Sequence, residues 1–309
     1  MPEISPPELR RYRSGLTDSS RWAGFVFRPG DIVISAPSKC GTTWLQMICA
    51  LLVFQTPDLQ APLTTLSPWL DMRLRPLPEV LRILEEQQHR RFIKTHTPLD
   101  GLPHDPAVTY LTIGRDPRDV APSMDAHRRN LDTGHINELL DPAHPPQARP
   151  ATAASPTPRE RVLDWFLDAR PATTHLDSLR AMINHLSQAW DLRDAPHTVL
   201  LHYADLARDL GAQMRALADR LAISVPEQRW PSLIRAATFE QMRSRAVAVL
   251  PDEGLRLFKD HQAFFAHGPD RTINTVLTTG DLERYDALVQ TLAPVDMLDW
   301  LHRGWAASP

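Results

Sequence analysis

The chain of 309 residues carries 34 basic and 37 acidic side chains, for a formal net charge of −3. That balance argues against nucleic-acid binding by bulk electrostatics, and the length suits one large α/β domain or two small ones, either able to bury a proper core. Proline is the outlier, at 29 residues where ~5 per cent is usual, while glycine, at 12, falls below its usual ~7 per cent.

The first residues, MPEISPPELRRYRSG, lack the apolar core of a signal peptide. A first strand is predicted over Asp31 to Ala36, a β-branched run that stops at Pro37. A helix should follow from about Thr42 to Gln55, with Thr42 as its cap and Trp44, Ile48, Leu51 and Leu52 on one face. This stretch holds the longest apolar run, Met47 to Phe54, whose eight residues fall short of the ~18 that a membrane span needs. Arg91–Thr95 and Val108–Ile113 read as the second and third strands, the latter leading through Gly114 into a helix whose start is marked by Pro117. Pro122 should kink that helix and shift Ser123.

Six prolines then fall between Pro142 and Pro158, which excludes helix and sheet interior. We expect a long loop, an insertion or lid spanning about 132–158. The rival reading, a domain boundary, is disfavoured because a fourth strand, Thr198–Tyr203, lies beyond it and has to rejoin the sheet. Further helices are expected at 159–169, 175–192, 209–222, 231–245, 281–293 and 295–304. Strands alternating with helices predict a single α/β domain over 1–309, with a central, mainly parallel sheet covered by helices on both faces. Cys40 and Cys49 alone make neither a disulfide framework nor a four-ligand zinc site, so no metal is expected. The expectation is a soluble cytoplasmic protein, with a homodimer left open.

The sharpest chemical feature is the strand–loop–helix around Pro37-Ser-Lys39-Cys40-Gly41-Thr42-Thr43-Trp44. Such a loop aims backbone N–H groups at one point beside a helix N-terminus and adds a lysine, which suits phosphate or sulfate. The order of lysine and glycine departs from the Walker A pattern, which weighs against a P-loop kinase. A phosphatase-like use of Cys40 would need an arginine six residues on, where Gln46 stands, so Cys40 is expected to contribute its backbone.

These residues resemble the 5′-phosphosulfate loop of sulfotransferases that use 3′-phosphoadenosine 5′-phosphosulfate (PAPS). Other segments of the family follow in order. Lys94-Thr95-His96 is similar to its Lys-Thr-His segment, Gly114-Arg115-Asp116-Pro117-Arg118-Asp119-Val120 with Ser123 to its 3′-phosphate segment, Tyr203-Ala-Asp-Leu to the stretch beside adenine, and Thr238-Phe239 to a later base-packing segment. SPWLDMR and QQHRRFIKTHTPLDGL look most like bacterial glycolipid-type members. The resemblance implies the P-loop-like sulfotransferase fold, with PAPS as co-substrate and 3′-phosphoadenosine 5′-phosphate (PAP) as product. It implies Lys39, Lys94 and His96 as catalytic residues. It places Lys39, Cys40, Gly41, Thr42, Thr43, Trp44, Arg115, Ser123, Tyr203, Phe239, Gly268 and Arg271 on the nucleotide. The acceptor would be a hydroxyl of a small or lipid-linked molecule, with Trp69 and Met72 suggesting an apolar channel.

The chemistry is coherent on its own terms. Sulfuryl transfer shifts charge towards the departing phosphate, so fixed cations at Lys39 and Lys94 act more strongly in the transition state. His96 has an ordinary pKa of ~6.5, suited to a general base, and alternation along the strand puts it on the same side as Lys94. Arg115 has an alternative as the ion-pair partner of Asp119. The match breaks down at 264–274, where Ala266 and His267 stand in place of the family's arginine and lysine, beside Pro269. That departure leaves a catalytically inactive nucleotide-binding module as the alternative to an active enzyme.

Overall fold

The computed structural model describes residues 9–141, 156–250, 254–265 and 276–305. Four short strands, β1 (Ile32–Ser35), β2 (Phe92–Thr95), β3 (Thr109–Gly114) and β4 (Thr198–His202), pair in the order β2-β1-β3-β4, every neighbour parallel. Parallel strands are covered on both faces and therefore read as unbroken apolar runs. Alternate side chains serve two cores here. Ile32, Ile34, Phe92, Leu111 and Ile113 join the large one, whereas Val33, Ile93 and Tyr110 pack on the other face with Trp22, Leu70, Val80 and Leu84.

The helices in chain order are α1 (Thr42–Phe54), α2 (Leu63–Leu66), α3 (Leu77–Glu86), α4 (Pro117–Asn130), α5 (Thr133–Leu140), α6 (Pro158–Leu167) and α7 (Leu179–Asp191). After β4 come α8 (Tyr203–Arg208), α9 (Leu210–Arg220), α10 (Trp230–Ala236), α11 (Phe239–Ser244), α12 (Ala246–Val249), α13 (Thr279–Val289) and α14 (Val295–Arg303). None of them, among the described residues, is long and apolar enough to cross a membrane.

The chain leaves β1, forms β2 on one side of it and returns to form β3 on the other. The carboxyl end of β1 is thus a topological switch point, where the connections diverge and leave a crevice. The loops that follow all four strands converge on that edge.

Several local expectations change. Gly41, not Thr42, caps α1; its φ of 113° is a left-handed conformation that glycine adopts without a Cβ penalty, and no side chain caps this end. The helix is buried on nearly all sides rather than along one stripe. The predicted helix 231–245 is two pieces, α10 and α11, since Ala237 and Thr238 interrupt it and Thr238 caps α11 through its side chain. Tyr203 opens α8 rather than closing β4. The segment predicted as an irregular insertion begins with a helix, α5, capped by Asp132; residues 142–155, which hold most of the proline cluster, lie outside the described residues. At its far end Pro158 occupies the first turn of α6 behind a Thr157–Glu160 capping box, a position that costs proline no hydrogen bond. α4 runs continuously through Pro122, started by Asp116, whose carboxylate accepts from the Arg118 N–H.

Gly114 closes β3 directly beneath the C-terminal helix. A Cβ there would lie 2.3 Å from Cη2 of the buried Trp300. Gly114→Ala should therefore destabilise the fold by ~1–3 kcal/mol through overpacking. Thermal unfolding is expected to show a Tm several degrees lower; an unchanged Tm would refute this packing argument.

Candidate functional site

The crevice at the switch point is a cavity of about 390 Å³. Its nucleotide-facing half, as the sequence predicts it, is lined by Lys39, Gly41, Thr42, Thr43 and Trp44 after β1, Lys94 and His96 from the end of β2, and Arg115 and Ser123 after β3. Tyr203 and Phe239 complete it. Cys40, expected on the nucleotide, is fully buried behind the loop, with its thiol pushed up to about 12 by burial, and does not line the cavity. Gly268 and Arg271, together with Ala266, His267 and Pro269, lie outside the described residues.

The loop after β1 owes its shape to two left-handed residues, Lys39 (φ 65°) and Gly41 (φ 113°), on either side of Cys40. Lys39 in that region is an uncommon, strained conformation for a residue bearing a Cβ. The Cys40 N–H turns back to the Pro37 carbonyl at 3.4 Å, and the loop leads into the uncapped first turn of α1, whose N–H groups suit an anion. Two buried polar atoms here have no hydrogen-bond partner, Thr42 Oγ1 and Arg115 Nε. Both suit phosphoryl or sulfuryl oxygens.

Three cations share the cavity, and each rests on an aromatic face. Lys39 Nζ lies 4.3 Å from the Phe264 ring centre, Lys94 Nζ 4.1 Å from Trp69, and the Arg115 guanidinium 4.2 Å from Tyr203. Arg115 does not pair with Asp119; it donates from Nη1 to the Lys39 carbonyl at 3.3 Å. Burial, together with Arg115 and Lys94, pushes the Lys39 ammonium down to about 8. Trp44 donates its indole N–H to the Ala237 carbonyl at 2.8 Å and meets Tyr203 edge to face, which ties α1 to the α10–α11 junction.

His96 Nδ1 sits 2.5 Å from the Ala36 carbonyl oxygen. A carbonyl only accepts, so Nδ1 carries the proton and Nε2 keeps its lone pair. Burial, followed by the charge of Lys94, holds this imidazole neutral well below its ordinary 6.5. Its ring meets Trp69 edge to face, with centroids 4.8 Å apart, so Trp69 touches both Lys94 and His96. Met72, expected beside it, is instead a core residue.

Several contributing residues were not singled out from sequence. Asp71, wholly buried, accepts from Thr95 Oγ1 at 2.5 Å and Thr97 Oγ1 at 2.6 Å through Oδ2, which also faces the Trp22 indole N–H at 3.3 Å. These bonds grip the strand end between Lys94 and His96 from below. On the other side Ser35 Oγ donates to the Thr97 carbonyl and meets His185 Nε2 at 2.9 Å. The remaining cavity wall comes from Ser14–Thr17, from residues 174–177, from Leu131 and Ile136, and from Met242, Leu257 and Phe258. No local motif announces these; topology alone gathers them. Among the described residues, no group of three or more His, Cys, Asp or Glu side chains is arranged to hold a metal ion.

The comparisons with known proteins agree with this geometry. The family model for the sulfotransferase domain matches residues 29–300. A glycolipid sulfotransferase of Mycobacterium bovis is 41% identical over 309 residues, covering 95% of this chain and 94% of that protein. The rat protein named sulfotransferase 1A1 is 26% identical over 275 residues, covering 85% of this chain and 84% of its own. Among solved structures, a mouse sulfotransferase complexed with PAP superposes with a TM-score of 0.67 at 19% identity, covering 91% of this chain and 90% of that one. Retinol dehydratase in complex with androsterone and PAP gives 0.66 at 19% identity, covering 88% and 83%. With the family model spanning nearly the whole chain and the strand-end loops converging on one cationic cavity, the protein belongs to the sulfotransferase family.

Proposed function

We propose that this protein transfers a sulfuryl group from PAPS to a hydroxyl of a glycolipid or other lipid-linked acceptor, with His96 as general base. The observation that carries the reading is the convergence, in one cavity, of Lys39, Lys94, Arg115 and a Nδ1-protonated His96 on the uncapped start of α1. The relatives named glycolipid sulfotransferases, and the neighbours solved with PAP, favour the same donor and acceptor classes.

The residues divide the work by position. The 39–43 loop, with Lys39 and the start of α1, holds the 5′-phosphosulfate, while Arg115 and Ser123 take the 3′-phosphate. Trp44, Tyr203 and Phe239 supply ring surface for adenine. His96 Nε2 accepts the acceptor's hydroxyl proton as the S–O bond to that oxygen forms. The bond between sulfur and the 5′-phosphate oxygen breaks in line, and its electron pair stays on the phosphate of PAP. Lys39 and Lys94 stabilise that growing charge, which their closeness in the free protein leaves poorly compensated. Leu131, Ile136, Met242, Leu257 and Phe258 offer an apolar wall to a lipid chain, and Ser14, Thr17 and Thr174 a polar one to a head group.

Transfer of radiolabelled sulfate from PAPS to a panel of alkyl glycosides, glycolipids and phenols tests the assignment. Binding of PAP without transfer to any acceptor would favour the inactive binding module instead. His96→Ala should leave PAP affinity within a few-fold by calorimetry while turnover falls by at least ~10²-fold. Preserved turnover would remove His96 from the mechanism. Arg115→Ala should weaken PAP binding by roughly 10- to 100-fold yet barely change that of AMP, which lacks the 3′-phosphate. Equal losses for both nucleotides would contradict the assigned partner.

The pH dependence follows from Lys39 and His96. An anion favours the charged form of Lys39, so its pKa rises from about 8 on binding. PAP affinity is therefore level below pH 8 and declines above it, where binding takes up a proton detectable in buffers of different ionisation enthalpy. Because His96 stays neutral well below 6.5, the acid limb of kcat/KM should fall below that value. An acid limb at or above 6.5 would contradict the assignment.

A further inference from the structure

His127 is the cavity side chain that the chemistry above leaves unused. It lies one helical turn after Ser123 on α4, so both line the same cavity. Its ring packs between Phe258 and Phe264, at centroid distances of 5.6 and 6.1 Å. Leu131 and Ile136 line the same cavity. Its Nδ1 is beyond the reach of solvent and has no hydrogen-bond partner, so Nε2 is the ring nitrogen left to meet an atom in the cavity. Closing a ligand over that nitrogen costs ~1–3 kcal/mol unless the ligand supplies it with a partner.

The charge around the ring narrows what that partner is. Burial, followed by the charges of Lys39 and Lys94 and by His96 and Arg128, keeps this imidazole neutral well below its usual 6.5. Nε2 of a neutral ring donates or accepts according to its tautomer, and a hydroxyl meets either. A sugar presents several hydroxyls of similar reactivity. Choosing one of them requires a second anchor beside the base.

We infer that His127 is a positioning residue for the acceptor, hydrogen-bonding a second hydroxyl of a polyhydroxylated head group beside the hydroxyl that His96 deprotonates. The inference rests on the proposed sulfuryl transfer to a glycolipid and adds the substrate feature that this cavity selects. Submicellar octyl glucoside and 1-octanol, which share a chain and differ in the sugar, are the probes. With labelled PAPS, His127→Phe should lose roughly 10- to 100-fold in kcat/KM on octyl glucoside and little or nothing on 1-octanol, with PAP affinity unchanged. His127→Asn, which keeps a donor and an acceptor, should recover most of the loss. If His127→Phe fails to bind PAP, His127→Ala is judged on the same ratio. Equal losses on both acceptors, or none on octyl glucoside, would overturn the role of His127 while leaving sulfuryl transfer intact. Wild-type protein that sulfates 1-octanol but not octyl glucoside would overturn the head-group inference and the glycolipid reading together. Transfer to neither acceptor, nor to any of the wider panel, would overturn the proposed activity itself.

Discussion

Three cationic side chains gathered in one cavity are the constraint on which the rest of this site depends. Each of them, Lys39, Lys94 and Arg115, lies against an aromatic ring, Phe264, Trp69 or Tyr203. A ring face steadies a cation through its quadrupole and carries no net charge, so the attraction for phosphate and sulfate is retained. Burial, followed by the charges of Arg115 and Lys94, pushes the Lys39 ammonium down to about 8. Arg118, only three residues from Arg115, is paired with Asp116 and lies outside the cavity lining.

The fold keeps these charges in register with little flexible chain. Because β1 lies between β2 and β3, the loop that carries Lys39, the pair Lys94 and His96, and Arg115 arrive at adjacent strand ends. The strand carrying Lys94 and His96 is locked from below by Asp71, whose burial raises its pKa and whose Oδ2 is met by two threonine hydroxyls. The N-terminal segment that supplies Ser14–Thr17 is pinned to the same region, since Asp18 N–H donates to the Asp71 carbonyl and Arg73 N–H to that of Leu16. The Ser14–Thr17 wall of the cavity therefore shares its supports with the strand end that carries Lys94 and His96.

Much of this was legible in the sequence, for identifiable reasons. Buried parallel strands are short β-branched runs, and the loop around Lys39, Cys40 and Gly41 combines a lysine, a glycine and two threonines in an order with few uses. What escaped notice depends on tertiary context. Thr42 looks like a cap, but only a glycine accommodates the left-handed turn needed at 41, so the cap moves one residue earlier. The apolar stretch 231–245 looks like one helix because periodicity does not register that Thr238 starts a new one. Proline density extended the expected loop back over α5, whose own residues, 133–140, contain no proline. Asp71 and His127 carry no motif; the first matters because of what lies above it and the second because of the cavity it faces.

The seam beside the cavity wall has a consequence for how the pocket can be reshaped. Asn130, Leu131 and Asp132 run antiparallel to residues 257–260, with Asn130 bonded through both its backbone and its side chain to that second segment. His135 reaches the Leu255 carbonyl as well. Two stretches separated by well over a hundred residues thus form one sheet-like panel of the pocket. A change of side-chain size on one stretch alters the fit of the other before it alters the fit of any acceptor. Reshaping this side of the pocket therefore calls for matched substitutions on the two stretches, since the pair, rather than either alone, sets its form.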